Sequence, residues 1–314
     1  MKNRKVAFYT LGCKVNQYET NGMIQEFVKK GYEILEFDEV ADVYIVNTCT
    51  VTNMADRKSR QMLRRVKELN PNAILVAVGC YAQVAKEELE KIPEIDLILG
   101  TNEKKNVISF VEEMLKEKAF RKEKCNNDNE QKNEKHVTSL NDQKHQKVKI
   151  NDVLHCEEYV DFGDVTFTEK TRAVIKVQDG CDRFCSYCII PFARGHIRSR
   201  KPDSVVSEIT KIVKQGIKEV VITGIHLASY GRDFKKESAQ ELLQNESKSL
   251  INDKSESKVD NLKENNIKYN IMDNSQYGLI DLLEEINKID GIERIRLRVI
   301  RTNTYYRRIC GKII

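Results

Sequence analysis

Ile74-Leu75-Val76-Ala77-Val78-Gly79-Cys80 is a run of five apolar residues closed by a glycine and a cysteine. A strand that is apolar at every position, rather than at alternate ones, is buried on both faces, as in a parallel sheet covered by helices on either side. The flanking sequence repeats the theme. Before it come an apolar strand at Val6 to Thr10, a helix at Glu19 to Lys30 ending at Gly31, a strand at Val43 to Val46, and a basic helix at Lys58 to Leu69 stopped by Pro71. After it come Leu97-Ile98-Leu99 and a helix from Val107 to Lys118. This alternation predicts an α/β fold whose residues 1–118 form a doubly wound parallel sheet.

Three strand ends in that unit carry a cysteine: Cys13 after the first strand, Cys49 after Val43 to Val46, and Cys80 after the central one. Parallel strands point the same way, so the three thiols are expected to meet at the carboxyl edge, where α/β sheets bind ligands. Either each is a small buried residue, as cysteine often is, or together they hold a metal cluster. Gly12 and Gly79, directly before Cys13 and Cys80, would let the backbone turn tightly beside a bulky group. Residues 119–167 are rich in Lys, Asn, Gln, Glu and His and are expected to be a disordered linker, with too little apolar surface to offset the entropy of ordering.

From residue 168 the alternation resumes. The apolar run Ala173-Val174-Ile175-Lys176-Val177 leads into Gly180-Cys181-Asp182-Arg183-Phe184-Cys185-Ser186-Tyr187-Cys188, three cysteines at CxxxCxxC spacing. Such a loop can wrap three thiolates around one iron–sulfur cube and leave one iron open to a substrate or cofactor. A zinc site would want a fourth ligand, and the nearest candidate, His196, stands eight residues on. A helix at Ser204 to Gln215, a strand at Val220 to Thr223, a helix at Ile280 to Lys288 and a strand at Ile292 to Leu297 continue the βα pattern. A polar insertion at about 235–276 interrupts them. Residues 168–314 therefore predict an incomplete TIM-like barrel.

The 314-residue chain, with 40% apolar and 32% charged residues and a net charge of +5, is long enough for two cores. It has neither an apolar run near twenty residues nor a signal-peptide pattern, so no membrane association is expected. Nine cysteines, an odd number in metal-like contexts, exclude a small secreted disulfide scaffold and fit a reducing, cytoplasmic setting. Clusters such as Arg60, Arg64, Arg65 and Lys67, and Arg194, Arg198, Arg200 and Lys201, suit a polyanionic partner. Cys125, Cys156 and Cys310 lie in linker or tail and are read as bystanders.

The CxxxCxxC loop resembles that of radical S-adenosylmethionine (SAM) enzymes. With Thr10-Leu11-Gly12-Cys13-Lys14-Val15-Asn16-Gln17-Tyr18-Glu19-Thr20, Asn47-Thr48-Cys49-Thr50-Val51-Thr52, Ile190-Pro191-Phe192-Ala193-Arg194-Gly195 and Thr223-Gly224-Ile225-His226-Leu227, it is similar to the methylthiotransferase family. The resemblance is strongest to the branch acting on N6-threonylcarbamoyladenosine at position 37 of tRNA. Gly12-Cys13-Lys14-Val15-Asn16 differs from the Gly-Cys-Gln-Met-Asn of the isopentenyladenosine branch and the Gly-Cys-Pro-Lys-Asn of the ribosomal-protein branch. The resemblance implies two [4Fe–4S] clusters, one on Cys181, Cys185 and Cys188 that cleaves SAM, and an auxiliary one on Cys13, Cys49 and Cys80 that supplies or presents sulfur. It implies a 5′-deoxyadenosyl radical that takes hydrogen from C2 of the adenine, a second SAM as methyl donor, the tRNA anticodon loop as partner, and flavodoxin or ferredoxin as electron donor. Among supporting residues, Tyr187 is expected on the SAM adenine and Thr223 and Gly224 along its amino-acid moiety. Arg194, with Arg198 and Arg200, is expected on its carboxylate or on tRNA phosphates. Competing readings are the two sister branches and a non-catalytic iron–sulfur electron carrier.

Beyond Leu297 the family continues to Gly-Ser-Leu-Glu-Pro, completes the barrel and adds an RNA-binding TRAM domain. This chain instead reads Arg298-Val299-Ile300-Arg301-Thr302-Asn303 and ends at Ile314. Back-translating from Arg298 and shifting by one base recovers Gly-Ser-Leu-Glu-Pro. The expectation is a one-base insertion near the Leu297 codon, a barrel without its TRAM domain, and a product that binds iron without modifying tRNA.

Overall fold

The computed structural model describes residues 4–129, 147–165, 171–234 and 277–298. The insertion expected at 235–276 and residues 299–314, on which the expected frame shift falls, lie outside the described residues.

The N-terminal unit runs β1 (Lys5–Thr10), α1 (Lys14–Lys29), β2 (Glu33–Leu35), β3 (Val43–Thr48), α2 (Asn53–Leu69), β4 (Ile74–Gly79), α3 (Cys80–Val84), α4 (Lys86–Glu90), β5 (Leu97–Leu99), α5 (Val107–Asn129) and β6 (Lys147–Lys149). Its sheet is parallel throughout, in the order β2-β1-β3-β4-β5-β6. Every residue of β3 and β4 is buried. The pleat divides them between two cores. Val43, Ile45, Ile74, Val76 and Val78 face α1 and α5, with Tyr18, Phe27 and Val111. Tyr44, Val46, Leu75 and Ala77 face α2 to α4, with Met62, Leu63, Val66 and Leu89. Local chemistry sets the helix ends. The Thr52 hydroxyl accepts from the Ala55 amide to start α2, and α2 stops at Asn70, next to Pro71.

The linker expected at 119–167 differs from the structure. α5 continues to Asn129, and Lys147–Lys149 joins the sheet as its sixth strand beside β5. Phe162 and Val165 enter the first core. Three residues suffice to extend a parallel edge, and a few apolar side chains to anchor a loop. Both signals vanish when composition is averaged over a polar stretch.

The second unit contains β7 (Ala173–Lys176), β8 (Gln178–Asp179), α6 (Ile190–Arg194), β9 (Arg198–Ser199), α7 (Pro202–Lys214), β10 (Glu219–Thr223), α8 (Leu279–Asn287) and β11 (Arg294–Arg298). β11, β10 and β7 form a three-stranded parallel sheet. Val205, Ile209 and Ile212 of α7 and Leu282, Leu283 and Ile286 of α8 cover one face of it. β8 and β9 pair antiparallel and close the neck of the loop between them. The α/β class, with a parallel first sheet and a partial parallel second one, agrees with the sequence.

Candidate cluster and cofactor site

In the first sheet the strand order reverses direction at β1 and β3, whose carboxyl ends flank the crevice where such folds bind ligands. Cys13 follows β1 and caps α1, Cys49 follows β3, and Cys80 opens α3 directly after β4. All three line one cavity of about 520 Å³, with Asn16, Arg194, Thr223 and Gly224 among its walls. The backbone there is shaped for close approach: Gly12 has φ +96°, and a Cβ on it would stand 2.6 Å from the Cys49 sulfur. Gly79 has φ +108°. Burial pushes the Cys49 thiol up, opposed chiefly by a hydrogen bond from the Val51 backbone. The three strand-end thiols line one cavity at the carboxyl edge of the sheet.

The CxxxCxxC loop emerges from the β8–β9 neck. The Cys181 amide donates to the Gly195 carbonyl at 3.0 Å, and the Cys188 amide to the Cys185 carbonyl at 2.9 Å. Gly180 has φ +69°, and a Cβ on it would meet the His196 carbonyl oxygen at 1.8 Å. Phe184 sits at φ +43°, a conformation that costs a non-glycine residue ~1–2 kcal/mol. All three thiols are free and half-buried. Among the described residues no three His, Cys, Asp or Glu side chains converge on one ion position. A cube takes each thiolate on a different iron, so a cluster needs thiols spread around a shared cavity or loop. Both trios fit that requirement by donor chemistry and by backbone.

Tyr187 is 84% exposed, so its ring is uncovered rather than used in core packing. Thr223 and Gly224 stand at the carboxyl end of β10 on the wall of the cavity, which also reaches Ile189 and Ile190, just past Cys188. Cys156 makes only a local contact, its thiol donating to the Asp152 carbonyl.

The three arginines are buried, and Arg194 lines the cavity beside Thr223 and Gly224. Arg194, Arg198 and Arg200 are each 1% exposed, not a solvated basic loop. Arg194 donates to Glu19 (2.9 Å), to Asp179 (3.0 and 3.1 Å) and to the Asn16 carbonyl oxygen of its side chain (2.6 Å). Arg200 pairs with Glu208 and with Asp161, and Arg198 donates to Asn102 and to the Arg194 carbonyl. Their groups are turned to partners inside the protein, which removes them as contacts to tRNA phosphates.

Sequence reasoning missed the rest of this network. Lys176 donates to Glu19 and Asp179, both at 2.6 Å, and Lys104 also pairs with Glu19. Asn47 donates to the Asn16 carbonyl and to Thr20. Burial alone would raise the Glu19 carboxyl, but Arg194, Lys104 and Lys176 hold it well below its usual range. Asp179 behaves likewise: burial opposes ionisation, and Arg194 with Lys176 overcomes it. The available signal was a lysine inside the apolar run Ala173–Val177, and Asn16 with Glu19 one turn apart on α1.

Among the described residues, no helix is long and apolar enough to cross a membrane. Residues 5–100 match the family described as "Uncharacterized protein family UPF0004", and residues 175–312 match the "Radical SAM superfamily". The threonylcarbamoyladenosine tRNA methylthiotransferase MtaB of Bacillus subtilis is 38% identical over 238 residues, 76% of this chain and 47% of the relative. That of Aquifex aeolicus is 36% identical over 293 residues, covering 93% and 55%. The ribosomal protein uS12 methylthiotransferase RimO of Desulfitobacterium hafniense is 30% identical over 299 residues, covering 94% and 52%. The chain spans about half the length of the curated relatives it matches. An N-terminal unit and a radical SAM unit are thus matched in the order in which the chain carries them, and the relatives it resembles at 30% identity and above are methylthiotransferases.

Proposed function

We propose that the chain carries the two-cluster portion of an enzyme that adds a methylthio group to C2 of N6-threonylcarbamoyladenosine at position 37 of tRNA. The observation that carries this reading is the single cavity walled by Cys13, Cys49 and Cys80 on one side and by the end of β10 and the residues after Cys188 on the other. Sulfur insertion needs a radical source and a sulfur source that reach one substrate atom, and a shared cavity provides the common ground.

In this reading Cys181, Cys185 and Cys188 hold one [4Fe–4S] cluster and Cys13, Cys49 and Cys80 the other. When bound, the clusters and SAM supply the radical cleavage, the hydrogen abstraction and the sulfur. The chain's own residues position and exclude. The β8–β9 neck fixes the loop, Thr223 and Gly224 form a wall for the SAM amino-acid portion, and the uncovered Tyr187 ring offers a face to its adenine. The largely apolar cavity wall keeps water from a reactive intermediate. An electron enters from a small donor such as flavodoxin or ferredoxin, and the protein works in the cytoplasm, where its tRNA substrate is found.

Two assays test the proposal. Reconstituted protein with SAM and dithionite should release 5′-deoxyadenosine. Expression in a bacterium lacking its own methylthiotransferase of this branch should restore 2-methylthio-N6-threonylcarbamoyladenosine in nucleoside mass spectra. SAM cleavage with methylthiolation of a ribosomal protein instead would move the chain to the RimO branch. Clusters that cycle without cleaving SAM would make it an electron carrier.

A further inference from the structure

The buried network behind the cavity is unbalanced. Among the described residues, Lys104, Lys176 and Arg194 form ion pairs only with Glu19 and Asp179, and all five side chains are nearly inaccessible to solvent. Arg198, equally buried, adds a further cation held by neutral oxygens of Asn102, Glu158 and Arg194. The Glu103 carboxyl lies over Gly100 beside Gln83, and among the described residues its oxygens take no hydrogen bond from the cations. A surplus positive charge in a low-dielectric interior is costly unless an anion stands close by. A cluster held by the strand-end thiols would be such an anion. Arg194 lines the same cavity as Cys13, Cys49 and Cys80.

The network also joins the two trios mechanically. Asp179 lies two residues before Cys181, and Arg194 lies in α6, six residues after Cys188. Both grip Glu19 directly or through Lys176, and Arg194 also grips Asn16, on the first turns of the helix that Cys13 caps. A second tie runs from the Thr101 hydroxyl to the Ala193 carbonyl at 2.8 Å.

We propose that Arg194, held by Glu19 and Asp179, is a positioning residue that supplies the counter-charge of the Cys13–Cys49–Cys80 centre and sets it against the CxxxCxxC loop. It favours negative charge on that centre and so raises the reduction potential of a cluster held there. This rests on the reading that the strand-end trio holds a cluster, since three thiolates on a cube carry net negative charge, which one-electron reduction increases.

The test uses the full chain with Cys181, Cys185 and Cys188 replaced by alanine, so that only the strand-end cluster is present. Midpoint potentials are read by EPR-monitored titration with dithionite, and iron is quantified alongside. Arg194→Gln should shift the potential downward by at least a tenfold change in the reduced-to-oxidised ratio, about 59 mV for one electron. Glu19→Gln, which removes an anion from the same network, should shift it upward, and Arg194→Lys should stay near the parent value. Opposite signs cannot come from simple loosening of the fold, and the Glu19 and lysine variants serve if Arg194→Gln fails to fold. Potentials that do not move, or move in one direction for both glutamine variants while iron is retained, overturn the inference. A parent that binds no iron overturns the cluster reading itself, and the inference with it.

Discussion

Substituting Gly180 by alanine should empty one cluster site and leave the other filled. The residue sits at φ +69°, where an alanine pays ~1–2 kcal/mol for the left-handed backbone. Its new Cβ would stand 1.8 Å from the His196 carbonyl oxygen, against an ordinary contact of ~3.5 Å, so the two backbones must part by roughly 1.5 Å. That movement is larger than the neck tolerates: the 3.0 Å Cys181-to-Gly195 hydrogen bond and a rung of the β8–β9 pair would pass out of range. At ~1 kcal/mol each, those losses bring the cost of keeping the loop shape to roughly 3–4 kcal/mol. Because the neck contributes no side chain to the three apolar cores, the expected effect is local. Anaerobically reconstituted Gly180→Ala should bind half the iron of the parent and lose reductive SAM cleavage, with little change in its urea midpoint. Full iron and parental SAM cleavage would refute the argument that this neck shapes the loop.

Three further outcomes follow from the geometry. Glu208→Ala leaves the buried Arg200 with Asp161 as its remaining carboxylate and cuts the tie from α7 to Tyr18 of the first unit, and should lower unfolding free energy in urea by about 3 kcal/mol. Glu19 and Asp179 ionise more readily in the folded protein than in the unfolded chain, so their stabilisation is present above about pH 5 and is lost as pH falls through the lowered folded values. Thermal midpoints measured downward from pH 6 should therefore fall, less steeply in the Glu19→Gln, Asp179→Asn double variant. Cys156→Ser should leave iron content unchanged, since that thiol is not on the cavity wall and donates to the Asp152 carbonyl, whereas Cys49→Ser should reduce it.

The parallel sheet was legible because Ile74–Val78 and Val43–Val46 are apolar at every position, and the cysteine trios because strand direction alone brings Cys13, Cys49 and Cys80 to one edge. The loop at Gly180–Cys188 announced itself by spacing. What escaped was the partnership of charges. Arg194, Arg198 and Arg200 are indistinguishable in sequence from a solvated basic loop. Their burial depends on Glu19, 175 residues away along the chain from Arg194, on Asn102, 96 residues from Arg198, and on Tyr18, 182 residues from Arg200. No local pattern encodes pairings of that range. The sixth strand was hidden for the opposite reason: Lys147–Lys149 is too short and too polar to stand out, and only the exposed edge of β5 gives it a place.

The account's central claim is that two separate thiol trios hold two clusters around one cavity. Iron and acid-labile sulfide per chain, quantified after anaerobic reconstitution of the parent and of the two triple-alanine variants, test it most directly. The account predicts two clusters in the parent and one in each variant, with distinct EPR signals after reduction. A single cluster in the parent, lost when either trio is removed, would contradict it.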